Sequence, residues 1–398
     1  MTLDLGAISR QITQLGGMLL ERRTEERERL HAALSLLSAP IDVDALAAKV
    51  ATARTGWRPA LPIEPLSLHQ PAPALPPSLS VLASDGSSVE PDRHGVALCY
   101  LINIGLVALH YGEQPGALLH NEPYLGFRDE DLYIAAGGQQ VLVSGPLLTI
   151  RRQTLESERL AALAASLPAG RPAVALQDGT LVLGTLEGSG LEQWLREGPL
   201  KALLARYGDL KARRLPLAAY ASRPRHGEVV NALRVLVCPQ SSPDCQHGCT
   251  ARGGVDGKAA ALCNLLGKLA DRALFGAILE PGERSALCRS QWAISLSHYG
   301  EHRVHFFYLN VGPEIGRVEV PEWVARDRAL LGLVQAAVVD QCERGRGYPT
   351  ALLEAHEQAV LRGPDRRQFE EMLDTALVRA GLPLATSEKE RGKRLRAL

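Results

Sequence analysis

Two short apolar runs along the chain each lead into an aspartate. The run at 81–84 ends at Asp85 and the run at 174–177 ends at Asp178, and a glycine follows each aspartate. Runs of this length and composition predict buried β-strands, and the following glycine tolerates the tight turn expected at a strand end. Each Asp-Gly pair taken alone is an ordinary turn signal. Two of them after similar strands also suit a divalent cation, which takes oxygen ligands.

Apolar residues at helical spacing dominate the start of the chain. They predict a helix over residues 5–38, followed by a shorter helix over 43–53. The residues on one stripe of the first helix are Ile8, Ile12, Leu15 and Leu19. This stripe either packs on its own domain or forms a surface for a dimer or another partner.

Seven prolines between Pro59 and Pro77 exclude a helix or a central strand there. We interpret this segment as an extended connection into the main domain. The sequence therefore predicts an N-terminal helical appendage at 1–55, a proline-rich connection at 56–80, a main domain at 81–380 and a charged tail at 381–398.

The main domain is expected to be an α/β fold. Its predicted order is strands at 81–85, 96–109 and 140–150, a polar loop at 121–131, a helix at 151–167 and a strand at 174–178. Further strands are predicted at 232–237, 302–311 and 315–320. This order is that of a ribonuclease-H-like mixed sheet flanked by helices. In such a domain the first strand and the strand after the first helix hold acids side by side.

A third acid is expected from the helix at 151–167. The candidates are Glu156 and Glu158. We prefer Glu158, because Leu160 and Leu163 follow it as a buried stripe, and Glu156 is the alternative.

A motif near the C-terminal end begins at Tyr348 and Pro349 and ends at His356. Proline at the first helical position fixes the start of a helix. Leu352 and Val360 lie four residues on either side of His356, which predicts that the imidazole sits on the inward stripe. It is then either a core histidine or, if the two aspartates lie beneath it, a metal ligand or a group that binds phosphate.

The overall charge places limits on nucleic-acid binding. Forty-four basic and 44 acidic residues give zero net charge, so any contact with nucleic acid needs a local patch. The clearest basic region is 196–225, which contains eight Lys or Arg. Seven cysteines and a start without the pattern of a secretory signal favour a reducing cytoplasm. No apolar run reaches the roughly 18 residues of a membrane span.

Four thiols, at Cys238, Cys245, Cys249 and Cys263, with His247 nearby, are a candidate structural zinc site. The spacing lacks paired Cys-x-x-Cys knuckles, so a set of reduced, partly buried cysteines is the competing interpretation. The Gly257-Lys258 pair is not a phosphate-binding loop, because Arg252 stands where the leading glycine should be.

Four motifs in order give the chain a resemblance to a known family. They are Asp85-Gly86-Ser87, Asp178-Gly179-Thr180-Leu181, Arg317-Val318-Glu319-Val320-Pro321-Glu322-Trp323, and Tyr348-Pro349 with Ala355-His356. Together they resemble the bacterial branch of the NurA nuclease family over residues 80 to about 375.

This resemblance implies a manganese-dependent DNA nuclease, with magnesium as the alternative cation. It further implies a 5′–3′ exonuclease with added single-strand endonuclease activity, working as a homodimer beside a HerA-type hexameric translocase in end resection and double-strand break repair. By motif position, Asp85 and Asp178 are the strand-end metal ligands, and Tyr348 and His356 are the C-terminal pair. With Glu158 as the helix acid, the expected metal ligands are Asp85, Glu158, Asp178 and His356.

Two other classes of function compete with this expectation. One is a non-catalytic DNA-end adaptor for a hexameric translocase, in which the acids are relics. The other is an actin-like phosphotransferase, which has a similar strand order. Such enzymes need Asp-x-Gly-Ser/Thr, whereas Asp and Gly are adjacent in both motifs here.

Overall fold

The apolar run that leads into Asp85 forms a central strand of the protein. We describe a computed structural model that covers residues 4–92, 97–136, 138–168, 170–184, 186, 189–246, 249 and 257–382. The strand extends from Leu79 to Val89, and its first eight residues are buried. Burial on both faces explains why the sequence reads as a continuous apolar run without alternation.

Helices and strands alternate along most of the chain. The helices are α1 (Leu5–Leu37), α2 (Val43–Thr52), α3 (Asp129–Leu132), α4 (Pro146–Ala165), α5 (Glu192–Leu195), α6 (Lys201–Ala212), α7 (Glu228–Val237), α8 (Gly257–Leu266), α9 (Asp271–Gly276), α10 (Ala293–His298), α11 (Glu322–Ala325), α12 (Arg328–Arg344), α13 (Thr350–Ala359) and α14 (Gly363–Arg379). The strands are β1 (Leu61–Pro62), β2 (His69–Pro71), β3 (Leu79–Val89), β4 (Tyr100–Tyr111), β5 (Gly116–Gly126), β6 (Tyr133–Ala136), β7 (Gln139–Leu142), β8 (Ala173–Asp178), β9 (Leu217–Ala221), β10 (Glu283–Ser285), β11 (Cys288–Arg289), β12 (Val304–Asn310) and β13 (Ile315–Pro321).

The chain divides into two compact units. Unit 1 comprises Met1–Ala72, Ala221–Leu296 and Arg303–Glu319, and unit 2 comprises Pro73–Tyr220, Ser297–His302 and Val320–Leu398. This division differs from the boundaries expected from the sequence. The N-terminal helices do not stand apart, because Ala33 and Leu37 lie in the same buried cluster as Val229 and Leu233.

The sheet of unit 2 has the strand order β9-β8-β3-β4-β5. Strands β3, β4 and β5 are antiparallel neighbours, whereas β8 and β9 run parallel to β3. Helix α4 connects the antiparallel strands to β8, as a crossover to a parallel strand requires. This is the order of a ribonuclease-H-like sheet, and the predicted fold class is confirmed.

The strands predicted at 302–311 and 315–320 are β12 and β13, which are hydrogen-bonded neighbours. Strand β12 also pairs with β10 and β11, β10 pairs with β2, and β11 pairs with β1. Within the described residues, the proline-rich connection contains the two short strands β1 and β2 and, at its end, the first two residues of β3.

Three predicted elements are wrong. The segment 121–131, expected to be a loop, contains the second half of β5, an edge strand whose exposed side chains make its sequence polar. The expected strand at 140–150 ends at Leu142, because Pro146 begins α4. The expected strand at 232–237 is the end of α7, since a short aliphatic run fits a buried helix equally well.

Helix α1 is packed at one end and open at the other. Asp4 caps its start by accepting a hydrogen bond from the N–H of Ala7. Ala33 and Leu37 near its end are buried, whereas Ile12 and Leu19 in its first half are 60% and 52% exposed.

Among the helices that the structure describes, none is long and apolar enough to cross a membrane.

A buried ionic cluster lies in the core of unit 1. The guanidinium of Arg317 is fully buried and lies 3.6 Å from the centre of the Phe306 ring. Its Nε donates to Glu319 at 2.9 Å, and its Nη2 lies 3.4 Å from the carboxylate of Glu228. Two acids beside one cation offset the cost of removing that cation from water. The Arg317-Val318-Glu319 part of the motif is therefore explained by the core of unit 1.

We predict that Glu319→Gln lowers the free energy of unfolding by about 3–5 kcal/mol, because it leaves a buried charge poorly compensated. Urea denaturation measures the change. Asp209→Asn in α6 is the matched control, since its 49% exposed carboxylate pairs with the 41% exposed Arg206 and exposed pairs contribute about 0.2–1 kcal/mol. Equal losses in the two variants would contradict this account.

Candidate active site

Asp85 contacts His356 because helix α13 lies directly on strand β4. Asp85 is paired in register with Gly105 of that strand. A Cβ atom at Gly105 would lie 2.0 Å from the carbonyl oxygen of Ala355, so only glycine permits this approach. Nδ1 of His356 then lies 2.8 Å from Oδ2 of Asp85.

Two polar side chains hold the end of α13. Nδ2 of Asn103 donates to the carbonyl oxygens of Gln358 and Ala359 at 3.0 and 2.9 Å. The hydroxyl of Ser87 also donates to the carbonyl of Ala359. These bonds satisfy carbonyls that a helix end leaves without partners. They fix the register of α13, and hence the position of His356, above the sheet.

Asp178 is the last residue of β8, the parallel neighbour of β3. Its Oδ1 accepts a hydrogen bond of 2.7 Å from the hydroxyl of Tyr348. The ring of Tyr348 packs edge-on against Tyr220, with 5.6 Å between centroids. Partial removal from water raises the pKa of Asp178, the hydrogen bond from Tyr348 opposes the rise, and the charge of Asp85 adds to it. The two aspartates thus lie close enough to repel each other.

Glu156 of α4 supplies the third carboxylate. Its Oε1 lies 2.6 Å from where a Cβ of Gly86 would be, so the bare backbone at Gly86 makes room for it. Burial raises the pKa of Glu156 to about 8; the charge of Arg152 opposes this, and those of Asp85 and Asp178 add to it. Gly86 therefore serves close packing inside β3, and the expected turn at this position does not occur.

The preference for Glu158 as the helix acid needs correction. Glu158 lies two positions after Glu156 and points about 200° away from it around the helix. Leu160 and Leu163 are buried, and they follow Glu156 by four and seven residues, which is the spacing of one helical face. The stripe used to choose Glu158 in fact continues the face of Glu156. The structure brings Glu156, and not Glu158, to the aspartates.

His356 is not the inward-facing residue that its helical position suggested. Its side chain is 57% exposed, although Leu352 and Ala355 beside it are buried. The imidazole lies at the rim of the site, with one nitrogen on Asp85 and the other towards solvent. A group at the rim can contact a substrate that a core histidine could not reach.

The donor set matches a hard cation in its chemistry. Asp85 and Asp178 raise the pKa of Glu156, and Asp85 raises that of Asp178. A divalent ion would offset this repulsion, and oxygen ligands suit manganese or magnesium. Within the described residues the buried Oε1 of Glu156 accepts no hydrogen bond, and Nε of Arg152 lies 3.6 Å from it. In the described part of the chain, no three His, Cys, Asp or Glu side chains are arranged to hold a metal as they stand. Side-chain rotations would be needed for all three carboxylates to reach one ion.

The comparison with protein families decides the relationship. A model described as the NurA domain matches residues 79–361, well over half of the 398-residue chain. The chain belongs to the NurA family. The matched span begins at the first strand that bears a site acid and ends just after His356. No curated protein matches the chain.

Solved structures align with the chain only loosely. A crystal structure of a type 1 ribonuclease H with the type 2 active-site motif has a TM-score of 0.21 and 10% identity, covering 48% of this chain and 87% of its own. The C-terminal lobe of a budding yeast Argonaute has a TM-score of 0.23 and 10% identity, covering 69% of this chain and 45% of its own. The family assignment rests on the NurA match alone.

The four candidate zinc-binding thiols lie near one another in unit 1. Burial raises the pKa of Cys245, and the neighbouring Cys263, Cys238 and Cys249 raise it further. His247 lies outside the described residues, as do Arg252 and residues 383–398 of the expected charged tail. The zinc site stays a prediction.

Sequence reasoning did not identify the residues that hold the site residues of the NurA motifs in position. They are Ser87, Asn103, Gly105 and Arg152. Asn103 and Gly105 interrupt the apolar run at 96–109. A polar residue and a glycine inside an otherwise buried strand were the available signal, since glycine there often marks a close backbone approach. Arg152, whose Nη1 donates to the carbonyl of Gly86, gave no such signal.

We predict that the metal-free protein loses stability as pH rises from 6.5 to 8, because the folded state retains a proton on Glu156 up to about 8 while the unfolded state releases it near 4.5. Between about pH 4.5 and 8 the unfolded state thus binds fewer protons at this group, which lowers the free energy of unfolding as the pH rises, and the range from 6.5 to 8 lies inside this window. The free energy of unfolding, measured by urea titration in chelator at several pH values, should fall less steeply with pH for Glu156→Gln than for wild type or Glu158→Gln. An unchanged slope for Glu156→Gln would refute this protonation state.

Proposed function

We propose that this protein is a divalent-cation-dependent deoxyribonuclease that hydrolyses phosphodiester bonds. The observation that carries the proposal is the meeting of three carboxylates, from β3, β8 and α4, beside Tyr348 and His356. Membership of the NurA family points to a nuclease that interacts with nucleic acid. The intact site favours an enzyme over a non-catalytic adaptor.

Asp85, Glu156 and Asp178 are the residues that we propose to hold the cation, with His356 as a further ligand. Manganese is the expected ion, because it accepts imidazole as well as carboxylate, and magnesium is the alternative. When bound, such an ion would lower the pKa of a water molecule and neutralise charge on the phosphate.

The chain's own residues have separable tasks at this site. The hydroxyl of Tyr348 donates to Asp178 and so restricts the orientation of that carboxylate. A carboxylate only accepts hydrogen bonds, so while Asp85 is ionised Nδ1 of His356 carries the proton that joins them. Nε2 of His356 then carries no proton while the ring is neutral, so it can bind the cation or accept a proton. When the ring is charged, Nε2 instead donates to a phosphate oxygen.

We further propose that the enzyme acts in DNA end resection and double-strand break repair, as a 5′–3′ exonuclease beside a HerA-type hexameric translocase in the cytoplasm. The zero net charge supports a need for such a partner, since non-specific DNA affinity comes largely from clustered Lys and Arg. A translocase that feeds the strand would raise the local substrate concentration.

The exposed stripe of α1 supports a homodimer. Leu5, Ile8, Ile12, Leu15 and Leu19 recur at alternating spacings of three and four. This is the repeat by which two helices pack along a common seam. A second copy of the chain would supply the matching helix.

We predict that Asp178→Asn and Glu156→Gln each reduce cleavage of end-labelled linear DNA by at least about a hundredfold, whereas Glu158→Gln stays close to wild type. Wild-type cleavage should need manganese or magnesium and should stop in chelator. DNA binding without cleavage under all these conditions would favour the adaptor instead.

Manganese should also raise the melting temperature of the wild type by mass action, because it binds the folded state alone. Asp178→Asn should lose this rise, and Glu158→Gln should keep it. If Asp178→Asn is stabilised by manganese as much as the wild type, the cation lies elsewhere.

The double variant Ile12→Glu with Leu19→Glu is predicted to weaken dimerisation at least about tenfold, a change of about 1.4 kcal/mol. Analytical ultracentrifugation measures it. Gln11→Glu with Gln14→Glu is the matched control, since it adds the same charge to exposed positions beside the stripe. If both double variants dissociate, or if neither does, α1 is not the dimer seam. In that case the stripe variant should also leave stimulation by the translocase ATPase unchanged.

A further inference from the structure

A cavity of ≈ 390 Å³ in unit 2 lies at the end of the sheet away from the acidic site. Ala173 at the start of β8 lines it, whereas Asp178 ends the same strand. The ends of α4 and α6 form its sides. The lining residues that the argument uses are Leu167, Arg171, Arg213, Arg214, Leu215 and Leu333.

Three arginines and no acid line this cavity. Arg171 donates to the carbonyl oxygens of Tyr111 and Gln114 at 3.2 and 3.3 Å, and its buried Nε has no hydrogen-bond partner among the described residues. Arg213 is exposed, and it has no ion-pair partner in the described part of the chain. Its neighbour Arg214 pairs with Asp327 at 3.0 Å.

The charge balance of the cavity is positive. Against three guanidinium charges stand one carboxylate and the C-terminal ends of α4 and α6, each of which carries about half a negative charge. The positive charge also acts on a neighbouring residue: burial lowers the pKa of His110, and the charge of Arg171 lowers it further. An anion entering the cavity would therefore be attracted.

Arg214 occupies a backbone position that favours glycine. Its φ is 52°, in the left-handed region. The N–H of Arg214 donates to the carbonyl of Lys211, and the N–H of Leu215 donates to the carbonyl of Leu210. This pair of hydrogen bonds is the pattern in which a helix commonly ends at a glycine. An arginine costs about 1 kcal/mol there. The strained position holds a cation at the mouth of the cavity.

We propose that this cavity binds a nucleotide unit, with its phosphate on Arg171, Arg213 and Arg214. The volume lies in the range of small-ligand sites, roughly 300–1,000 Å³. Leu167, Leu215 and Leu333 offer apolar surface to a sugar or base. The choice of a nucleic-acid ligand rests on the proposed function. The phosphate belongs either to the DNA strand or to a released nucleotide, and the chemistry recognised is the same.

Binding of a fluorescein-labelled single-stranded oligonucleotide tests the proposal, measured by anisotropy with the full chain carrying Asp178→Asn in chelator. Arg213→Gln with Arg214→Gly should weaken binding about tenfold and lower the slope of log affinity against log salt by about 1–2. Glycine suits the φ of Arg214, so the variant should fold, and a thermal melt at least as high as that of the parent verifies this.

Lys201→Gln with Arg206→Gln is the matched control, because it removes two charges from the same helix outside the cavity. This control should weaken binding less than about twofold. Equal losses in both doubles would mean a general surface field and would overturn the proposal, as would no loss in either. Competition by deoxyadenosine monophosphate that the cavity variant abolishes assigns the site to released nucleotide, and competition by unlabelled strand alone assigns it to the DNA. Because no cleavage is measured, absence of nuclease activity would leave this result unaffected.

Discussion

Direct contact between the backbone of α13 and strand β4 sets the geometry of the candidate site. Gly105 lacks the side chain that would keep the helix away, and Asn103 and Ser87 hold the helix end in place. Since Asp85 is paired with Gly105, the contact point lies next to the acid that His356 reaches. The distance between helix and sheet is thus fixed by packing, and the hydrogen bond follows from it.

Repulsion among the three carboxylates is a second constraint on the site. Gathering like charges in a buried place does not favour stability, and here Asp85 raises the pKa of both Asp178 and Glu156. The buried ionic cluster of unit 1 has the opposite composition, with acids around a central cation. That contrast separates a group of charges that holds a fold together from the acidic site, where we propose that a cation binds.

The sequence predicted the elements whose patterns are strong and local. The strands leading to Asp85 and Asp178 follow from short continuous apolar runs, and the long helix α1 follows from its apolar periodicity. Strand β5 could not be found this way, because an edge strand shows few buried residues, and α7 could not, because its short aliphatic run fits either structure. Glu156 required knowing which face of α4 meets the sheet. The rest of the candidate site was predicted only from the family resemblance, since contacts between residues far apart in sequence leave no periodic signal.

The site is assembled from distant parts of the chain. Asp85 and His356 are separated by 271 positions, and Asp178 and Tyr348 by 170. During synthesis, β3, β4, α4 and β8 leave the ribosome long before α13. Domains generally fold as units, so unit 2 completes its fold only after its last helices emerge. A nascent or prematurely terminated chain consequently holds the carboxylates without the histidine and tyrosine that orient them. Completion of the polypeptide is then a condition for an ordered site, so under the proposed function unfinished copies would not cleave DNA.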